Sequence, residues 1–143
     1  MSEKENKELI YDFLKESNSL QGDPARMDAF FQKFYSPNIL AHQTSGDIES
    51  SKYQQYLQGM FTAFPDAEFT MDDVLAEGDK VVFRSSWSGT HQGAIQRIPP
   101  TGKKVTVKTI VINRIIDGKI VELWSIADSL GMMQQLGVIP SKG

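Results

Sequence analysis

The chain has 143 residues, no cysteine, two histidines and a formal net charge of -3, from 15 Lys+Arg against 18 Asp+Glu. Disulfides, thiolate metal sites and cysteine nucleophiles are thereby excluded, and the acidic balance argues against nucleic acid or an anionic membrane as partner. The charged start MSEKENKE lacks the apolar segment of a leader, and no stretch approaches the roughly eighteen apolar residues of a membrane helix, so one soluble, cytoplasmic domain over residues 1–143 is expected.

The first half of the chain carries helical periodicity. Leu9, Ile10, Phe13 and Leu14 share one stripe, and the polar run Asn18 to Gly22 ends it. Asp23 as N-cap and Pro24 at the first helical position open a second helix, with Met27, Phe30, Phe31, Phe34 and Tyr35 on its apolar face and Pro37 as its stop. Asn38 to Thr44 reads as a short strand. Ser51 and Gln54 then predict a capping box for a third helix, whose stripe is Tyr53, Tyr56, Leu57, Met60, Phe61 and Phe64, ended by Pro65.

From Asp66 the apolar period is two. Ala67, Phe69 and Met71 alternate with polar neighbours, and Asp73-Val74-Leu75 breaks the phase as a bulge does. Beyond the turn Glu77-Gly78-Asp79, Val81, Phe83, Ser85 and Trp87 share one side of a strand from Lys80 to Gly89, with Val82, Arg84 and Ser86 on the other. Gly89 to Gly102 reads as a loop over a rim of the sheet. Strands near Lys103–Ile115 and Lys119–Ala127 flank Asp117-Gly118, the signature of a two-residue type I′ hairpin. In the last strand Ile120, Glu122, Trp124 and Ile126 fall on one side, and Val121, Leu123, Ser125 and Ala127 on the other. Asp128 caps a final short helix that Gly137 ends.

Helices followed by an antiparallel meander predict an α+β fold: a cone-shaped barrel in which a curved, mainly antiparallel sheet wraps the N-terminal helices and leaves a pocket between them. The aromatic stripes of the helices supply its lining.

Nucleotide, metalloprotease, acyl-enzyme and EF-hand motifs are absent, so neither a cofactor nor a metal is expected. His42 shares strand parity with Leu40 and Thr44; if that parity faces the pocket, its imidazole is the candidate acid/base near neutral pH. The bland alternative is a strand-end histidine bonded to backbone or water. His91, between Gly89 and Gly93, is either a rim contact to a ligand or a solvated loop residue. Arg84 either binds a ligand carboxylate, pairs with an internal Asp or Glu, or faces outward on the solvated or interface face. Tyr56 offers a ligand contact from the third helix, and Ser125 is a polar atom in an otherwise small, apolar row. Asp128 is better explained as an N-cap than as a catalytic group.

The segments Phe64-Pro65-Asp66, Ala76-Glu77-Gly78-Asp79-Lys80-Val81-Val82-Phe83-Arg84, Ser88-Gly89-Thr90-His91-Gln92-Gly93, Ile98-Pro99-Pro100-Thr101-Gly102-Lys103 and Asp117 to Trp124, with Gln134-Gln135-Leu136-Gly137, occur in an order that resembles the SnoaL-like polyketide (ester) cyclase family. The resemblance implies a nuclear-transport-factor-two-like cone, a homodimer or higher oligomer through the outer sheet face, and a pocket for a small-molecule partner. It also implies an aldol-type ring closure in which a last-strand Glu-His-Trp-Asp pattern points its histidine and aspartate into the pocket. Here that stretch is Glu122-Leu123-Trp124-Ser125. Leucine cannot exchange a proton and a serine hydroxyl is too weak an acid and base to replace a carboxylate. Leu123 and Ser125 are therefore expected as ligand contacts, and the pocket as one for a largely apolar carbonyl compound without aldol cyclase activity. The alternatives are another proton-transfer reaction with His42 as its titrating group, an isomerase or epoxide-hydrolase type of enzyme, a non-catalytic binder, or a filled pocket in a protein that acts through its oligomer surface.

Overall fold

The computed structural model describes residues 2–43 and 46–140. The expected strand end at Thr44 lies outside them. In chain order the elements are α1 (Glu3–Ser17), α2 (Pro24–Phe34), β1 (Tyr35–Gln43), β2 (Gly46–Glu49), α3 (Ser50–Ala63), β3 (Glu68–Glu77), β4 (Lys80–Thr90), β5 (Lys104–Ile116), β6 (Lys119–Ala127) and α4 (Ser129–Gln135). Among the described residues no helix is long and apolar enough to cross a membrane.

Local chemistry sets most boundaries. Ser2 Oγ accepts from Glu5 N at 3.1 Å while Ser2 N donates to Glu5 Oε1 at 3.2 Å, a reciprocal cap that starts α1. Asp23 Oδ1 accepts from Ala25 N at 2.9 Å at the start of α2. The helix gives way at Tyr35, two residues before the expected stop, and Pro37 sits inside β1 at a register irregularity between Tyr35 and Leu40. A missing N–H is tolerated at such a break in the ladder. The capping box expected at Ser51 and Gln54 does not form. Because β2 runs straight to Glu49, that residue becomes the N-cap of α3, and the Gln54 amide donates to Asp28 instead.

One mixed sheet has the order β2-β1-β6-β5-β4-β3, with β1 parallel to β6 and every other pair antiparallel. It does not close: β2 and β3 are its two edges. At the β3 edge Asn18 substitutes for a neighbouring strand, its Oδ1 accepting from Phe69 N at 2.6 Å and its Nδ2 donating to Phe69 O at 3.2 Å. The β5–β6 turn is the expected two-residue hairpin, with Asp117 at φ 49 and Gly118 at φ 77 and Ile116 paired to Lys119.

Two bulges reset which side chains point inward. In β3 the register shifts between Met71 and Asp73, so Phe69 and Met71 pack inward before the break and Val74 and Ala76 after it. A second shift, between Arg114 and Ile115, corrects the simple alternation read for β6. Ile120 is fully buried with Leu123 rather than lying on the side of Glu122 and Trp124. The helices cover the inner sheet face and build two apolar clusters. One joins Phe13, Phe30, Phe34 and Tyr35 to Phe83 and Leu123; the other joins Phe64, Trp87, Val107 and Met132.

Candidate functional site

Between the two clusters lies a cavity of about 220 Å³. Its walls come from α1, α2 and α3 on one side and from the inner face of the sheet on the other, and α4 closes one end with Met132 and Met133. Phe30, Phe61, Phe64 and Trp87 give it an apolar, aromatic surface. Strand parity explains which sheet residues reach it. Gln43 of β1 is in register with Ser125 of β6, Ser125 with Val111 of β5, and Thr109 of β5 with Ser85 of β4, and all five line the cavity.

Polar atoms are sparse and organised. Ser85 and Thr109 hydroxyls hydrogen-bond to each other at 2.8 Å in the middle of the sheet. Tyr35, Tyr53 and Tyr56 form a row, with ring centroids 5.7 Å and 6.2 Å apart along it. Burial raises all three phenol pKa values above the usual tyrosine value, so each hydroxyl stays protonated at neutral pH. Gln43 and Tyr56 both line the cavity. Among the described residues that line the cavity there is no Asp, Glu, His, Lys or Arg.

Of the residues singled out in the sequence, Tyr56 and Ser125 line this cavity. Leu123 shares the inner face with Ser125 but is 1 % exposed, packed into the core below the cavity. His42 lies on the opposite face: it is in register with Trp124, and the inward parity belongs to Ala41 and Gln43. Its ring stacks on Trp124 at 5.2 Å, with Nδ1 2.8 Å from Asp47 Oδ1 and Nε2 2.7 Å from Glu122 Oε2. Hydrogen bonds to Glu122 first and Asp47 second raise its pKa, because only the imidazolium donates from both nitrogens. Arg84 is also on the outer face, 2.7 Å from Asp73 and 3.5 Å from Asp72. His91 is fully buried beside Phe64 and outside the cavity lining. Thr101 N donates to its Nδ1 at 3.1 Å, which fixes the ring proton on Nε2 and ties the β4–β5 loop to the end of β4. Asp128 caps α4, accepting from Gly131 N at 2.9 Å.

Sequence reasoning passed over Gln43, Ser85 and Thr109. The signal was available in the same form that exposed Ser125: a small or neutral polar residue inside an apolar period-two row. The rows are Val81, Phe83, Ser85, Trp87 in β4 and Val105, Val107, Thr109, Val111 in β5. Among the described residues no group of three or more His, Asp or Glu is placed to hold a metal.

Residues 9–136 match the family model described as SnoaL-like polyketide cyclase. No curated protein matches the chain. Among solved structures, AclR of Streptomyces galilaeus, named as a candidate hydroxylase, superposes with a TM-score of 0.87 at 27% identity over 99% of this chain and 87% of its own. IdmH of Streptomyces antibioticus, named as a candidate polyketide cyclase, gives 0.70 at 29% identity over 92% and 98%. A SnoaL-like polyketide cyclase candidate from Jannaschia sp. CCS1 gives 0.83 at 22% identity over 96% and 95%, a likeness of fold.

Proposed function

Because the chain belongs to the SnoaL-like polyketide cyclase family, we propose that it binds a small, largely apolar carbonyl compound in the cavity between helices and sheet. The observation that carries this reading is the lining: an aromatic and aliphatic wall interrupted by neutral polar side chains, among them Tyr56, Gln43, Ser125, the Ser85–Thr109 pair, Ser17, Gln96 and Ser129. Apolar walls supply affinity and a few fixed donors and acceptors orient the ligand. A side-chain general base receives no support from that surface, since its described lining holds no Asp, Glu, His or Lys and its tyrosines, held protonated, offer only hydrogen-bond or proton donation. Leu123 and Ser125, in the place of the pocket-facing histidine and aspartate that the family resemblance implies, point the same way. The reading is therefore of recognition and retention of the ligand rather than aldol ring closure.

Native mass spectrometry of the freshly purified protein, compared with its denatured mass and an organic extract, tests this. A bound organic molecule that disappears in Ser125→Phe, whose ring would occupy the cavity, is the expected result. Retention of that molecule by a folded Ser125→Phe variant would contradict the placement.

The oligomer belongs to the same proposal. Leu75, Ile110 and Ile126 are 68 %, 50 % and 64 % exposed on the outer sheet face, where Trp124 also lies. Apolar groups spread across β3, β5 and β6 on one face support a second copy of this chain as the occupant. Charged groups beside them, Arg84 with Asp72 and Asp73 and Arg114 with Asp79, supply both signs for a self-complementary contact.

A further inference from the structure

We propose that the chain carries a second ligand site, outside the cavity described above: a hollow at the junction of α2, β1 and α3 that takes a small aromatic carboxylate, its ring on Phe31, Tyr35 and Tyr53 and its anion on the Lys119 ammonium. The site is independent of the binding role proposed for the cavity, although Tyr35 and Tyr53 border both spaces.

The hollow has its origin in the strand pairing. Between Tyr35 and Leu40 β1 advances five residues, while its partner β6 advances only two, from Ile120 to Glu122. The surplus makes β1 bow out of the ladder around Pro37, which needs no N–H partner there. A space of about 510 Å³ lies beside the bow, within the usual size range of small-molecule sites. The last turn of α2, the first turn of α3 and the first residue of β6 complete its walls.

The chemistry of those walls is one-sided. Phe31, Tyr35, Tyr53 and Ile39 are buried and form an apolar floor, with ring centroids 5.8 Å apart for Phe31 and Tyr35 and 5.7 Å apart for Tyr35 and Tyr53. A flat ring laid on that floor loses apolar area to water and meets aromatic neighbours. Above it stand the neutral polar side chains of Ser36, Ser50, Ser51 and Gln54, and one charge, Lys119. Among the described lining residues there is no carboxylate.

Lys119 is already positioned. Its Nζ donates to Gln32 O at 2.6 Å and to Lys33 O at 2.8 Å, a cation set on the C-terminal carbonyls of α2. Those bonds use two of the three ammonium N–H groups and fix the nitrogen; the third has no partner among the described residues. An ammonium held in this way meets an anion without the side-chain ordering that weakens ordinary surface pairs. The acids nearby lie outside the lining. Asp28 accepts from Gln54 and Gln58, Glu49 is in register with Leu40 on the outer sheet face, and Asp117 is exposed in the hairpin turn. Of the remaining cations, Lys33 is paired with Glu16 at 2.7 Å, and exposed Lys52, next to Ser51, adds charge of the same sign.

The test is a titration of the full, isotope-labelled chain with 2-naphthoate and with its neutral counterpart 2-naphthamide, followed by amide NMR near neutral pH. Naphthoate should shift the amides of Phe31 to Ser36, Ser50 to Gln54 and Lys119 saturably, and bind about tenfold more tightly than the amide, as a charge-assisted bond exceeds a neutral one. Ser125→Phe, which fills the other cavity, should leave that binding unchanged. Lys119→Gln should weaken it about tenfold. Because that change also removes the cap on α2, Ser51→Glu provides a second variant: a carboxylate in the first turn favours the helix yet repels the anion, and should weaken naphthoate by a similar factor. Shifts confined to Trp87, Thr109 and Ser125 would place the probe in the other cavity and overturn the proposal. Equal binding of naphthoate and naphthamide, full affinity in Ser51→Glu, or no saturable shift below about 10 mM probe would also overturn it.

Discussion

At the scale of single residues, parity decides everything about the site. His42 and Gln43 are neighbours in β1, yet one clamps the outer face and the other lines the cavity. The side chain with the more versatile chemistry drew attention in the sequence, but which of two alternating residues points inward depends on the pairing of β1 with β6, and no local pattern of residues 38–43 encodes that pairing. Ser125 was legible because Leu123, Ser125 and Ala127 alternate regularly beyond the register shift, although Ile120 before it does not follow that alternation. His42 yields a pH prediction. Its pKa is raised in the folded protein by Glu122 and Asp47, so the clamp's contribution is full below the unfolded histidine value of about 6.5 and is lost as pH rises through the folded value. His42→Gln should therefore lower the melting temperature most in mildly acidic solution, while carboxylates stay ionised, and the two curves should converge in alkaline solution. Parallel curves across that range would remove the clamp. Deep in the core, Phe34 is 2 % exposed and meets the Phe13 ring edge-on at 5.4 Å. Phe34→Ala should cost about 3–5 kcal/mol in chemical denaturation, a large fraction of the stability of a domain this size.

Elements were legible where their ends are written in local chemistry and obscure where a neighbour dictates them. Asp23-Pro24 and Asp117-Gly118 act through bonds within a few residues, and both behave as read. The start of α3 does not, because β2 pairs with β1 up to Glu49 and so fixes the helix origin from outside the helix. The same holds for Ile120, whose inward position comes from a shifted register against β5 rather than from its own strand's alternation. The β3 bulge, by contrast, leaves a phase change within one strand and could be seen there. Gly118→Ala is expected to cost about 1 kcal/mol, since an alanine must then hold the left-handed backbone of the turn; equal stability of the variant in a urea titration would show that the turn relaxes freely. Asn18→Ala removes both bonds to the Phe69 backbone and should speed amide exchange at Phe69 selectively, by about tenfold or more. Unchanged protection there would mean that α1 packing alone guards the edge.

For the whole molecule, the sheet separates two surfaces with different roles. Its inner face and the helices enclose a neutral cavity, and its outer face presents apolar side chains among paired ions. Self-association through that outer face predicts a dimer in analytical ultracentrifugation that Ile110→Asp together with Ile126→Asp converts to a folded monomer. A dimer unaffected by both substitutions would place the contact elsewhere. The two tryptophans divide in the same way, Trp87 lining the cavity and Trp124 stacked on His42 outside it. That division gives the most direct test of ligand binding within the sheet. In a Trp124→Phe variant the remaining Trp87 fluorescence should be quenched saturably by methyl 6-hydroxy-2-naphthoate. Adding Ser125→Phe should abolish the quenching, whereas adding His42→Ala should leave it intact. Quenching that survives Ser125→Phe and vanishes with His42→Ala would put the ligand on the outer face and contradict the account.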